Sequence, residues 1–100
     1  MRYIFHPEAL QEYEESALYY KKISRELAIS FIDSVEKGIE KILENSRAWP
    51  IIDEDVRRHL IKRFPFGIYY TIERDYILIL AVMHMNRKPG YWKNRLVTSD

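Results

Sequence analysis

The sequence contains no cysteine, only three glycines and no long apolar run. Without cysteine, disulfide bonds and thiolate catalysis are excluded. Gly38, Gly67 and Gly90 lie far apart, so the chain has no glycine-rich loop of the kind that holds phosphate. No apolar stretch approaches the roughly 20 residues that a membrane-spanning helix needs, and the opening MRYIFHPE does not resemble a secretory signal. We therefore expect a cytoplasmic protein without a membrane role.

The length and composition indicate a folded globule. The 100 residues predict one domain, residues 1–100, and the 47% apolar content is typical of a chain that builds a core. The net charge is only +1, but glutamate is frequent before Asp55, and arginine and lysine are frequent from Arg57 to Arg95. This asymmetry favours a basic face for an acidic partner or a phosphate backbone, with ordinary solvated charge as the alternative.

The first half of the chain has the apolar spacing of helices. Residues 2–5 predict a short strand, and a period of 3.6 then predicts helices over residues 7–22 and 24–44. Ser24 is a candidate N-cap for the second helix, and Asn45 is expected to end it in a left-handed conformation. Because almost no linker separates the helices, they should form an antiparallel hairpin.

The period changes to two after the helices, which predicts strands over residues 56–64, 67–73 and 76–85. The turns between them are short, so successive strands should pair antiparallel. The last strand is apolar at both parities, so we expect it to be covered on both faces. The predicted fold class is α+β, a two-layer β-αα-βββ domain in which a helical hairpin packs on a small antiparallel sheet.

The strand over residues 56–64 carries several cations. Alternation places Arg57, His59 and Arg63 on one face, and we expect that face to point away from the helices, because Leu60 and Phe64 suggest that the other face meets the core. The alternative is a charged edge strand that prevents aggregation. The candidates for binding a target or a nucleic acid are the basic residues of this strand and of a later segment: Arg57, His59, Lys62, Arg63, Arg87 and Lys88.

A second cluster follows the last strand. His84, Arg87 and Tyr91 lie within one short segment, where a guanidinium can grip a phosphate or carboxylate and a tyrosine can stack on a base or donate a proton. In the alternative interpretation His84 is a rim residue, Tyr91 and Trp92 pack on the helices, and Arg87 pairs with a glutamate. The histidine spacing does not suggest a metal site, so we expect no metal and no cofactor.

Two segments together resemble the RelE/ParE superfamily of bacterial toxins, and most closely its ParE-like, plasmid-stabilisation branch. They are RxLIKRFPFGIYYxI at residues 58–72 and ILILAVMHxxRxPxYW at residues 77–92. The resemblance extends over nearly the whole chain. It implies a small toxin of a type II toxin–antitoxin system, made with a cognate antitoxin whose C-terminal segment wraps and neutralises it.

The superfamily resemblance implies two possible mechanisms. ParE-like members bind DNA gyrase and halt replication, whereas RelE-like members cut messenger RNA on the ribosome as metal-independent endoribonucleases. RelE-like nucleases generally carry an arginine where this chain has Ile68, so we favour the gyrase-binding mechanism. If the chain is a nuclease, the catalytic set would be Arg63, His84, Arg87 and Tyr91. A third possibility is a non-toxic relative that only binds antitoxin. Whether the chain is an enzyme stays open.

The antitoxin is expected to use an exposed sheet edge and the groove beside the helical hairpin, by strand addition and by helix docking. An acidic partner segment would then meet Arg57 and Arg63. A dimer of the chain or a toxin–antitoxin hetero-oligomer is compatible with the sequence.

Overall fold

The structure, a computed structural model, describes residues 1–87 and 90–96 and shows two helices covering one face of a five-stranded sheet. In chain order the elements are β1 (Arg2–Phe5), α1 (Pro7–Ile23), α2 (Arg25–Glu44), β2 (Ile51–Asp53), β3 (Val56–Leu60), β4 (Phe66–Ile72), β5 (Tyr76–His84) and a 3-10 turn (Lys93–Arg95). The strand order is β1-β5-β4-β3-β2. No helix in the described ranges is long and apolar enough to cross a membrane.

The predicted α+β architecture is confirmed, and the helical hairpin forms as expected. The side chain of Ser24 caps α2 by accepting a hydrogen bond from the backbone N–H of Leu27 at 3.1 Å. Asn45 ends the helix with a negative φ of −153° and a ψ of 76°, so its predicted left-handed conformation is wrong. Its backbone N–H donates to the carbonyl of Lys41, which keeps the last helical turn closed.

The sheet is mixed, because β1 runs parallel to β5 while the other neighbours pair antiparallel. Tight turns dictate antiparallel pairing only between strands that they join, and the helical hairpin separates β1 from the rest. The short strand β2 lies between residues 44 and 56, where no strand was predicted. It pairs with β3 at only two positions, Ile51 with Arg57 and Asp53 with Val56, which is too short for an alternating pattern to reveal.

The helix-facing core is built around aromatic rings. Phe31 of α2 lies 4.9 Å from Phe66 and 5.3 Å from Phe64, measured between ring centroids, and Tyr20 of α1 lies 5.0 Å from both Phe31 and Phe64. Three of these four ring pairs are edge-to-face and the Tyr20–Phe31 pair is tilted, and such contacts add to the stabilisation from apolar burial. This cluster fixes α1 and α2 on the end of the sheet where β4 begins and β5 ends.

The predicted orientation of the basic strand is wrong. His59 and Ile61 face α2 and are buried, whereas Leu60 is 51% exposed. The prediction relied on Phe64 being in strand register with Leu60, but β3 ends at Leu60 and Arg63 has a left-handed backbone with φ 71°. The alternation of side chains is lost across that irregular segment. The burial of Phe64 therefore does not indicate which face of β3 meets the core.

The opposite face of the sheet has a smaller core. Trp92, from the segment after β5, is buried against Tyr69 of β4 at a centroid distance of 5.9 Å, together with Leu80 and Met83 of β5. Since Ile77, Ile79 and Val82 of the same strand face the helices, β5 is covered on both sides, as its continuous apolar sequence predicted.

Candidate functional site

A groove runs between α1 and the free edge of β5. Pairing with β1 stops where the N–H of His6 donates to the carbonyl of Ile79, and beyond that point β5 lies beside α1 alone. We call this the β5-edge groove. Its lining combines aromatic and apolar side chains with two carboxylates of α1 and with the imidazole and guanidinium groups at the end of β5: Glu12, Glu15, Ser16, Tyr19, Tyr20, Ile23, Phe66, Val82, Met83, His84 and Arg87.

A buried ion pair seals the floor of this groove. The guanidinium of Arg95 donates to both carboxylate oxygens of Glu12 at 2.9 Å, and its Nη1 also donates to the carbonyl of Leu80 at 3.0 Å. The Glu12 carboxylate in turn accepts from the backbone N–H of Val82 at 3.3 Å. The pair therefore provides hydrogen-bond partners for backbone groups of β5 where no strand covers its edge. The Arg95 side chain is only 5% exposed.

Tyr91 links this ion pair to Arg87. The guanidinium carbons of Arg87 and Arg95 lie 4.6 Å and 4.5 Å from the centroid of the Tyr91 ring, a cation–π arrangement. The turn that presents Arg87 is closed by His84, whose carbonyl accepts from the N–H of Arg87 and whose Nδ1 accepts from the N–H of Asn86, both at 3.0 Å. Arg87 itself is exposed, so its fork of donors can bind a carboxylate or phosphate.

The structure brings together three residues of the conditional catalytic set, His84, Arg87 and Tyr91. Arg63 lies elsewhere, in a second groove between α2 and β3 that we call the α2–β3 groove, together with Lys62 and His59. The two grooves flank opposite sides of the helical hairpin. The prediction of one continuous basic face is therefore wrong, and the sixth binding candidate, Lys88, lies outside the described residues.

Arg57 and His59 make contacts that hold the fold together. Nη1 of Arg57 donates to the carbonyls of Arg47 at 3.0 Å and Trp49 at 2.7 Å, which ties the loop after α2 to β3. His59 is 7% exposed and packs against Trp49 at a ring distance of 4.2 Å. Burial lowers the pKa of His59, and the nearby charge of Lys41 lowers it further, so the surroundings favour the neutral ring.

Sequence reasoning missed Glu12 and Arg95. They are separated by 83 positions, and neither stands out by type or spacing, so only the fold could pair them. Within residues 1–87 and 90–96, no three histidine, aspartate or glutamate side chains converge as metal ligands would. The remaining candidates for binding an anion are Arg87 in the β5-edge groove and Lys62 and Arg63 in the α2–β3 groove.

Comparison with known proteins decides the family. Residues 3–89 match the sequence model of the ParE toxin of the type II toxin–antitoxin system parDE. This chain belongs to the ParE toxin family. The membership confirms the resemblance to the ParE-like branch. The matched residues include the helical hairpin, all of the segment 58–72 and residues 77–89 of the second segment.

A solved structure of the family supports the fold. The chain is similar to a chain of the chromosomal ParDE toxin–antitoxin system from P. aeruginosa, with a TM-score of 0.74 and 17% identity over 84% of this chain and 95% of that one. At this identity the likeness concerns the fold. No curated protein matches the chain significantly.

Proposed function

We propose that this chain is the toxin of a type II toxin–antitoxin pair and that it arrests growth by binding a protein target, with DNA gyrase as the first candidate. The proposal rests on ParE family membership over residues 3–89 together with one observation at Ile68. That residue occupies the position where the RelE-like nucleases generally carry an arginine.

Ile68 is 0% exposed, and its side chain faces α2, with Cδ1 next to Gly38. The side chain at this position belongs to the helix-facing core, so it offers nothing to a phosphate. Losing one donor to a charged transition state costs about 2 to 4 kcal/mol. Arg63, the other proposed cation of a nuclease site, lines a different groove from His84 and Arg87. Both features favour binding over RNA cleavage.

Neutralisation by an antitoxin would use the β5-edge groove. Tyr19 and Ile23 are each 61% exposed along its α1 wall, and exposed large apolar side chains beside a groove are typical of helix docking. Arg87 at the end of the groove would meet a carboxylate of the bound segment. The same Arg87 could contact the growth target, which would make antitoxin and target compete for one surface.

Controlled expression tests the proposal, with plasmid supercoiling and messenger RNA integrity measured in the same culture. The expected result is growth arrest with loss of gyrase supercoiling and intact messages. Arg87→Ala should abolish arrest while the purified variant stays folded and loses only about 0.5 to 1 kcal/mol of unfolding free energy, from its contact with the Tyr91 ring, as measured by urea denaturation. Arg74→Ala, an exposed arginine in the turn between β4 and β5, is the matched control and should remain toxic.

The nuclease alternative has one observation in its favour, the proximity of His84, Arg87 and Tyr91. It predicts cleavage of translated messages aligned with codons, and that result would overturn the proposal. A chain that causes no arrest but still binds antitoxin would instead be the non-toxic relative.

A further inference from the structure

The α2–β3 groove is a concave site that the proposed function does not use. Its volume of about 410 Å³ lies in the range of small-molecule sites in proteins, roughly 300 to 1,000 Å³. α2 forms one wall, and the end of β3 with the segment after it forms the other. The hydroxyl of Ser34 donates to the carbonyl of Lys62, so a hydrogen bond joins the two walls. A groove that is bridged in this way suits a compact ligand better than a long polymer.

The walls of the groove carry an excess of positive charge. Four cations line it against a single carboxylate, that of Asp33: Lys37, Lys41, Lys62 and Arg63. Asp33 pairs with Lys37 at 3.1 Å, which leaves the other three cations in excess. Three cations around one concave site attract an anion with more than one negative charge, and the donor fork of an arginine matches the oxygens of a phosphate.

The floor holds two buried polar groups that the chain itself does not satisfy. Nδ1 of His59, a residue that is only 7% exposed, and Nε1 of Trp49 are enclosed without a hydrogen-bond partner among the described residues. Both side chains line the groove, and their ring centroids lie 4.2 Å apart. Buried groups without partners are uncommon in folded proteins, and a ligand that bonds to them is one explanation.

The two groups need different hydrogen-bond partners. Nε1 of Trp49 only donates, whereas Nδ1 of a neutral imidazole donates or accepts according to its tautomer. A hydroxyl group both donates and accepts, so neighbouring hydroxyls on one ligand can satisfy the indole and either tautomer of His59. The flexible side chains of Lys41 and Lys62 can move aside to admit such a ligand without a change in the backbone.

Two backbone features place His59 and Arg63 in the groove. Gly38 lets β3 pack directly on α2, since a Cβ at this position would lie 3.1 Å from Cδ2 of His59. Arg63 has a φ of 71°, a conformation that suits glycine, and keeping an arginine there costs stability. Strained residues of this kind cluster at functional sites.

We propose that the α2–β3 groove binds a small sugar phosphate, either free or as part of a mononucleotide. The phosphate lies against Lys41, Lys62 and Arg63, and the sugar hydroxyls bond to His59 and Trp49. The charge of the walls accounts for the phosphate, and the unpartnered groups of the floor account for the hydroxyls. The proposal does not rest on growth arrest or on antitoxin binding, because it concerns a separate groove and is tested on the purified chain.

The first test is a calorimetric titration with ribose 5-phosphate and with adenosine 5′-monophosphate. Inorganic phosphate, ribose and single-stranded oligothymidylate are the matched probes. At least one of the two organic phosphates should bind tenfold or more tightly than inorganic phosphate and ribose, and the tighter of the two identifies the source.

Three results of this titration would overturn the proposal. The first is no binding of either organic phosphate. The second is equally tight binding of inorganic phosphate, which would mean an adventitious ion only. The third is tighter binding of oligothymidylate, which would assign the groove to nucleic acid.

The two tryptophans of the chain locate the ligand. Trp92→Phe leaves Trp49 as the only tryptophan, and the fluorescence of Trp49 should change as the tighter organic phosphate binds. Trp49→Phe leaves only Trp92, which is buried on the opposite face of the sheet, and the fluorescence of Trp92 should stay constant. Binding that changes the fluorescence of Trp92, or of neither tryptophan, would place the ligand outside the groove.

The same two variants test the chemistry of the floor. Trp49→Phe removes the indole N–H and keeps an aromatic ring, so calorimetry should show several-fold weaker binding by a chain that remains folded. Trp92→Phe is the matched control, because Nε1 of Trp92 is also enclosed without a partner among the described residues but lies outside the groove. Equal affinities in the two variants would show that the floor does not bond to the ligand.

Charge variants test the walls. Lys41→Gln with Lys62→Gln should weaken the organic phosphate by roughly tenfold or more, because two attractive contacts with the phosphate are lost. Lys21→Gln with Lys22→Gln on α1 makes the same change in net charge on another surface and should change the affinity little. Equal losses from both pairs would show that the ligand responds only to overall charge, which would reject the site.

Arg63→Gly separates binding from folding. Glycine suits the left-handed backbone, so this variant should unfold at the same or a higher temperature while binding the organic phosphate several-fold more weakly. Glu54→Gly is the control, since Glu54 also has a positive φ, 49°, in the turn before β3 and should leave binding unchanged. Full affinity in Arg63→Gly would remove Arg63 from the site.

Discussion

The two edges of the sheet differ in how the chain treats the backbone that no strand covers. At the β5 edge, beyond β1, the Glu12 carboxylate accepts from the N–H of Val82, and the Arg95 guanidinium donates to the carbonyl of Leu80. At the β3 edge, beyond β2, Leu60 meets only a groove lined with cations. Open strand edges invite pairing with other chains, and proteins usually block them. The difference is that the chain's own side chains close one edge, whereas the other edge has no such cover among the described residues.

Substitutions at the β5 edge should lower the unfolding free energy more than substitutions at the β3 edge. Arg95→Ala leaves the Glu12 carboxylate, whose side chain is 14% exposed, without its partner, so unfolding free energy should fall by about 3 to 5 kcal/mol. Urea denaturation measures this change. The double variant Glu12→Gln with Arg95→Met should recover much of the loss, and a cost below about 1 kcal/mol for Arg95→Ala would show that the pair does not seal the edge.

Tyr91 extends the sealed edge towards Arg87, and its ring rather than its hydroxyl should matter. Tyr91→Ala removes contacts with two guanidinium groups and should cost about 2 kcal/mol. Tyr91→Phe keeps the ring, and the hydroxyl is enclosed without a partner among the described residues, so stability should hold or rise slightly. Thermal unfolding of the two variants checks this, and equal losses would contradict the cation–π arrangement.

At the β3 edge, His59 should make the stability of the fold depend on pH. Because burial and Lys41 lower the folded-state pKa of His59, the unfolded chain takes up the proton first as pH falls below about 6.5. Stability should therefore be complete above that pH and decline below it, by at most about 1.4 kcal/mol per pH unit. His59→Gln should flatten this part of the stability curve, and an unchanged slope would assign the effect to other groups.

Gly38 should give the smallest effect. A Cβ at this position crowds Ile68 and His59, but alanine favours the helix by about 1 kcal/mol, so Gly38→Ala should destabilise by only about 1 kcal/mol net. Urea denaturation of Gly38→Ala combined with Ile68→Val should show recovery, since the shorter side chain makes room. No recovery would mean that the backbone of β3, and not the side chain, has to move.

Much of the fold was predictable because its signals are local. The 3.6 period of α1 and α2 and the unbroken apolar sequence of β5 show which side chains avoid water, and Ser24 marks the start of α2 by a local hydrogen bond. Each of these predictions is confirmed. The candidate site was predictable only in part. His84, Arg87 and Tyr91 are close in sequence and stay close in space, whereas Arg63 comes from a turn that the fold directs into the other groove.

The sequence by itself determined the helical hairpin, the order of the strands after it and the family to which the chain belongs, since these depend on periodicity and on short motifs. Only the tertiary structure decided which face of β3 meets α2, because the left-handed backbone of Arg63 breaks the alternation that would have shown it. Only the tertiary structure joined Glu12 to Arg95, because an ion pair across 83 positions depends on how the segments pack and not on any local pattern.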